Sequence, residues 1–239
     1  MRGLLLFIVS LFVSVKAVSQ EDSVSSTRVS GRVLIANAGF APIPAFSFNS
    51  FVVISSLSIK KKRFSYEPDF SLGLNGKPWM ANNWFRFSFI ENKKGKLNTG
   101  INPSFFFKSD RTASGKEIFN ALRNLTFEAA GTWSLATNWS LSSNCMLIHA
   151  FDPGALSGVF FDISSSISAL RLTKTVSIDM KPELFYFDFA GKVDGLFTST
   201  SITLKQQMPV SVYFQGVLPL WSDFPGNSFK WNAGFIYDF

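Results

Sequence analysis

The thirteen residues Arg63-Phe64-Ser65-Tyr66-Glu67-Pro68-Asp69-Phe70-Ser71-Leu72-Gly73-Leu74-Asn75 decide the fold. Phe64, Tyr66, Pro68, Phe70, Leu72 and Leu74 share one side of an extended chain. Arg63, Ser65, Glu67, Asp69, Ser71, Gly73 and Asn75 share the other. A strand sends successive side chains to opposite faces, whereas a helix would scatter this set around its axis. The segment predicts a strand with one apolar and one polar face.

The pattern recurs on either side. Leu97, Thr99, Ile101, Pro103, Phe105 and Phe107 oppose Asn98, Gly100, Asn102, Ser104, Phe106 and Lys108. Val176, Ile178, Met180, Pro182 and Leu184 oppose Ser177, Asp179, Lys181 and Glu183. At the end of the chain, Phe229, Trp231, Ala233, Phe235, Tyr237 and Phe239 oppose Ser228, Lys230, Asn232, Gly234, Ile236 and Asp238. These four strands (63–75, 96–108, 175–188, 228–239) join eight weaker ones near 30–38, 46–59, 80–91, 119–133, 138–151, 156–172, 193–206 and 209–219. Twelve strands result, with ten or fourteen as the fallback. Their connections alternate in length. Short ones fall at 60–62, 92–95, 134–137, 173–174 and 207–208. Mostly longer ones fall at 39–45, 76–79, 109–118, 152–155, 189–192 and 220–227. Short periplasmic turns and longer outer loops characterise bacterial outer-membrane barrels.

The first residues read as an export signal: Arg2, an apolar run from Leu4 to Val15, then small residues that allow cleavage after Ala17 or Ser19. Twelve apolar residues are too few to span a bilayer, which takes roughly 20. The expected organisation is a signal peptide over 1–19 and one β domain over 20–239. Cys145 is the single cysteine, so no intramolecular disulfide holds this exported chain together. No later apolar run is long enough for a membrane helix, so a membrane location requires a closed barrel that leaves no open sheet edge in lipid.

A soluble secreted β-sandwich also alternates, with its apolar face inward. Three features favour the transmembrane antiparallel up-and-down barrel of a Gram-negative outer membrane. The polar faces carry Ser, Asn, Gly and Thr more than Lys and Glu, and charged residues are only 16% of the chain against about 25% in soluble domains. The rings Trp79, Trp84, Trp133, Trp139, Trp221 and Trp231 lie near strand ends, where barrels place interfacial girdles. The chain also closes on Tyr237-Asp238-Phe239, which resembles the C-terminal aromatic signal read by the barrel-assembly machinery.

A wider resemblance rests on Lys62-Arg63-Phe64-Ser65-Tyr66-Glu67-Pro68, Gly76-Lys77-Pro78-Trp79, Pro209-Val210-Ser211-Val212-Tyr213-Phe214-Gln215-Gly216-Val217 and Val18-Ser19-Gln20. These stretches are similar to small outer-membrane barrels of the Bacteroidota group, a family without assigned activity. The resemblance implies fold and compartment and carries no catalytic residues across.

Function classes narrow accordingly. The net charge of +7 becomes +5 once Arg2 and Lys16 are removed, with 21 basic residues against 16 acidic. The basic residues cluster in short connections such as Lys60-Lys61-Lys62-Arg63 and Lys93-Lys94-Gly95-Lys96, which reads as solvated turns rather than a nucleic-acid surface. One His and one Cys build no metal cluster, and no loop has calcium-site spacing or a phosphate cradle. No cofactor is expected. His149 is the one candidate for lipid hydrolysis, on the lipid side with Asp152 following. Ser143 on the same face lies roughly 20 Å along the strand, and nothing selects Ser157 or Ser164 instead.

The lumen holds the richer set. By parity Arg63, Glu67, Asp69, Arg86, Lys108, Asp179, Lys181, Glu183 and Lys230 point inward. Charges of both signs would pair there, as a structural plug or as the lining of a small passive pore. The expected partners are outer-membrane lipid and the assembly machinery, with a small solute unidentified. A lipid-acting hydrolase centred on His149 and a soluble binding protein are the competing readings.

Overall fold

The computed structural model describes residues 26–39, 47–112, 114–190, 193–224 and 228–239 of the 239-residue chain. The expected signal peptide and most of the connection at 39–45 lie outside these residues, as do parts of those at 189–192 and 220–227. Twelve strands form: β1 (Arg28–Ala36), β2 (Val52–Lys61), β3 (Phe64–Gly73), β4 (Pro78–Asn92), β5 (Gly95–Arg111), β6 (Glu117–Ala136), β7 (Trp139–Ala150), β8 (Gly158–Arg171), β9 (Ser177–Phe189), β10 (Val193–Lys205), β11 (Val210–Ser222) and β12 (Lys230–Asp238).

Each strand pairs antiparallel with its sequence neighbours, and β1 closes on β12, so the sheet is an up-and-down barrel. At this seam Arg32 faces Asp238 and Ala36 faces Gly234, and Gly31 and Phe239 exchange backbone hydrogen bonds of 2.8 and 3.0 Å. A Cβ on Gly234 would lie 2.2 Å from the Ile35 carbonyl oxygen, so only glycine lets the two strands meet there. Closure satisfies the backbone donors and acceptors that an open edge would leave bare.

The two faces sort oppositely to a soluble protein. Ser71, Asn102, Glu128, Asp162, Ser164 and Asn232 are buried inside. Phe64, Phe127, Leu147, Leu184, Trp231 and Phe235 are exposed outside. At one end the connections are tight: in the β4–β5 turn, Asn92 Oδ1 accepts from the Lys94 and Gly95 amides at 2.8 and 3.2 Å, and Lys62 takes a left-handed φ of 54° between β2 and β3.

The structure corrects the sequence reading in three places. The expected loop at 109–118 is mostly strand, because the β5–β6 ladder runs on to Arg111 opposite Glu117. The flanking strands stop earlier, with Met80 opposite Phe106 and Asn124 opposite Ala150, so this hairpin rises past the rim as a two-stranded ribbon.

The inner face is not polar throughout. Phe160, Phe185, Phe187, Phe189, Phe197, Val217 and Phe224 form a buried cluster at the end opposite the tight turns. Inward parity continues along β9 from Ser177, Asp179, Lys181 and Glu183 to Phe185, Phe187 and Phe189. The polarity inverts near the rim, where Tyr186 and Asp188 take the outer face.

Two of the six tryptophans also leave the expected girdle. A register shift between Ser71 and Leu72 turns Trp79 inward, 2% exposed, against Ala36 and Val52. Trp84 pairs with Glu67 and lies under Arg86. Trp133, Trp139, Trp221 and Trp231 do sit exposed on the outside.

Candidate functional site

The period-two pattern of β3 sends Glu67 and Asp69 into the barrel, and the β3–β4 register brings Arg86 beside them. Arg86 reaches two strands further to Glu128, because Gly100 lies between them on β5 and has no side chain to block the way. Its Nε and Nη2 donate to Glu128 at 2.5 and 3.0 Å, and its Nη1 donates to Glu67 Oε2. The guanidinium lies 4.2 Å from the Trp84 ring centroid, a cation–π arrangement that adds to the fixed fork geometry. Asp69 accepts from Asn82 Nδ2 at 2.9 Å, and Asn102 Nδ2 donates to Asn82 Oδ1 at 3.1 Å.

A second inward cluster forms on β8–β10. Glu183 accepts from Ser199 Oγ at 3.0 Å and has Lys181 Nζ at 3.7 Å. Asp162 on β8 is 7% exposed and lies within electrostatic reach of Glu183, Lys181 and Glu128. Nearer the tight turns, Lys205 pairs with Asp179 at 2.6 Å and Arg32 with Asp238 at 2.6 Å.

Of the remaining lumen residues singled out from sequence, Lys108 and Arg63 lie outside the interior and Lys230 keeps its inward place. Lys108 is on the protruding ribbon, 3.7 Å from Asp110 and well exposed. The Arg63 side chain is exposed in the β2–β3 turn, where its carbonyl accepts from Ser88 at 2.8 Å. Lys230 faces inward across from Val217. Tyr237 is exposed on the outer face with Phe239 stacked on it at 5.9 Å.

Sequence reasoning passed over Glu128, Asp162, Arg32, Asp238 and Lys205. The signal was present: the alternation Thr126, Glu128, Ala130 and that of Asp162 with Ser164 put both central acids on the polar face. Within the middle of the barrel, Glu67, Asp69, Glu128, Asp162 and Glu183 therefore stand against Arg86, Lys181 and Lys230, an acidic waist among the described residues.

His149 is exposed on the outer face, its ring edge-on to Phe151 at 4.9 Å. Ser157 Oγ accepts from the Ala150 amide at 2.9 Å, and Ser164 is buried on the inner face. Ser143 shares the outer face of β7 with His149, opposite Ile163.

No protein-family model matches the chain, and no curated protein matches it. Solved structures do. A KdgM porin aligns with a TM-score of 0.54 over 88% of this chain and 99% of its own, at 10% identity. A NanC porin aligns at 0.53 over 88% and 98%, at 6% identity. An outer-membrane channel from Pseudomonas putida F1 aligns at 0.51 over 93% and 98%, at 10% identity. The fold is that of a porin-like outer-membrane β-barrel.

Proposed function

We propose that the protein is an integral outer-membrane barrel that acts as a narrow passive pore with a preference for small cations. The supporting observation is the acidic waist. Five inward carboxylates face three inward cations, and removing an unpaired charge from water costs several kcal/mol per ion. A dry, sealed centre would bear that cost permanently. Water and mobile cations relieve it, and a ring of carboxylates favours cations in a pore.

Membrane residence follows from the outer face, where Phe64, Phe127, Leu147, Phe235 and the four outward tryptophans would otherwise be hydrated. Tyr237 and Phe239 are read as the assembly signal, and the chain as a relative of small Bacteroidota barrels. A sealed structural barrel is the second reading, favoured by the Phe187 and Phe197 plug, at 0% and 1% exposure.

Planar-bilayer recording in a KCl gradient separates the two. The pore should give small steps with a reversal potential on the cation side. Glu128→Gln with Asp162→Asn should move that potential towards zero. A silent bilayer from folded protein establishes the sealed barrel and ends the pore reading.

A further inference from the structure

Four inward side chains on β7–β9 make a patch of oxygen acceptors. Asn144 faces Asp162 across the β7–β8 ladder, and Ser164, two residues further along β8, faces Glu183 across the β8–β9 ladder. Directly opposite residues on one face hold their Cβ atoms about 4.5–5.5 Å apart and diagonal ones about 7–8 Å, so Asp162 and Glu183 stand on a diagonal with Ser164 between them and Asn144 beside Asp162. Ser164 is 2% exposed, and its Oγ has no hydrogen-bond partner. Asn144 donates to Asp162, yet its buried Oδ1 also lacks a partner.

The two carboxylates are acceptors only and repel one another unless something positive lies between them, and the Asn144 N–H serves Asp162 alone. The Ser164 hydroxyl brings one proton, and Ser199 spends its own on Glu183. Lys181 reaches the edge of the patch at 3.7 Å from Glu183, but its side chain is 47% exposed, and Glu128 nearby is held by Arg86.

We infer that Asp162, Glu183, Ser164 Oγ and, with its amide turned over from donor to acceptor, Asn144 Oδ1 bind one calcium ion on the lumen wall. Calcium accepts six to eight oxygens in irregular arrangements and completes its shell with water. Magnesium demands near-octahedral geometry at shorter distances, which side chains spread over three strands of a sheet do not offer. Two carboxylates favour a divalent over a monovalent ion. The assignment builds on the acidic waist invoked for the pore and names what sits in it.

The test is calorimetric titration of Ca²⁺ into the folded, chelator-stripped barrel in detergent micelles, with Mg²⁺ as the comparison. One saturable Ca²⁺ equivalent is expected, with Mg²⁺ at least about tenfold weaker. Asp162→Asn and Ser164→Ala should each weaken Ca²⁺ by about tenfold or more. Lys181→Met removes the competing cation and should tighten it several-fold, a gain that no loss of folding imitates. Absence of saturable uptake, or equal affinity for Mg²⁺, overturns the site. So does unchanged affinity in folded Asp162→Asn. Saturable Ca²⁺ with a silent bilayer upholds the site and removes the pore; cation current without Ca²⁺ uptake does the reverse.

Discussion

Arg86 holds Glu67 and Glu128 together while its own side chain is only 17% exposed. Removing one partner of a buried pair leaves the others charged and uncompensated, which costs about 3–5 kcal/mol, whereas removing both sides costs far less. Arg86→Met is therefore expected to destabilise the barrel by about that amount in chemical unfolding, and Arg86→Met with Glu128→Gln to recover part of it. Equal loss in the single and double variants would show that Arg86 acts through packing on Trp84. At this scale the sequence was informative about direction and silent about distance. Parity turned Glu67, Asp69 and Arg86 inward, but that Arg86 crosses to Glu128 depends on Gly100 leaving space between them. Trp79 shows the opposite limit: its inward turn comes from a register shift that no pattern of residue types announces.

The strands themselves were legible because lipid and lumen impose period two on each of them. What failed was the assumption that a strand ends where the alternation weakens. β5 and β6 pair with each other to Arg111 and Glu117, so the ladder supplies their hydrogen bonds even where the barrel no longer flanks them. Beside this ribbon the β7–β8 connection is clipped to β6: Asp152 accepts from the Arg123 amide and Nη2, each at 2.6 Å. The Arg123 guanidinium and backbone N–H hold the Asp152 carboxyl down at about 2, below its ordinary value of 3.8. A carboxyl whose folded pKa is depressed supports the fold fully above its unfolded value and loses that support as pH falls through the folded one. The clip should thus be intact above about pH 4 and open as pH falls towards 2. Pepsin, active across this range, should cut the 151–157 connection faster at pH 2 than at pH 4 relative to Asp152→Asn, whose clip is already broken. A constant ratio would mean that the ion pair does not hold this loop.

The whole molecule inverts the usual burial rule, and that inversion was visible in composition before any geometry: many aromatics, few charges, and polar faces built from small residues. The inward cluster around Phe187 and Phe197 was not, because an inward phenylalanine and an outward one have the same composition and differ only in parity relative to the nearest charged residue. Sidedness is the remaining property of the whole, and two features of the molecule give it the same direction. Tight turns such as Asn92–Gly95, the start of β1 and the end of β12 share one rim, where Lys60, Lys61, Lys62, Arg63, Lys93 and Lys94 are concentrated. The ribbon of β5 and β6 and the longer connections occupy the other. Barrels insert with their short turns in the periplasm, so the ribbon tip should face the medium. In a Cys145→Ser background, a membrane-impermeant maleimide should label Ser114→Cys on intact cells and Lys94→Cys only after the outer membrane is permeabilised. Labelling of Lys94→Cys alone on intact cells would reverse the orientation, and recovery of the labelled protein in a carbonate-soluble fraction would remove the membrane altogether, since an apolar outer face of this extent has no reason to release lipid for water.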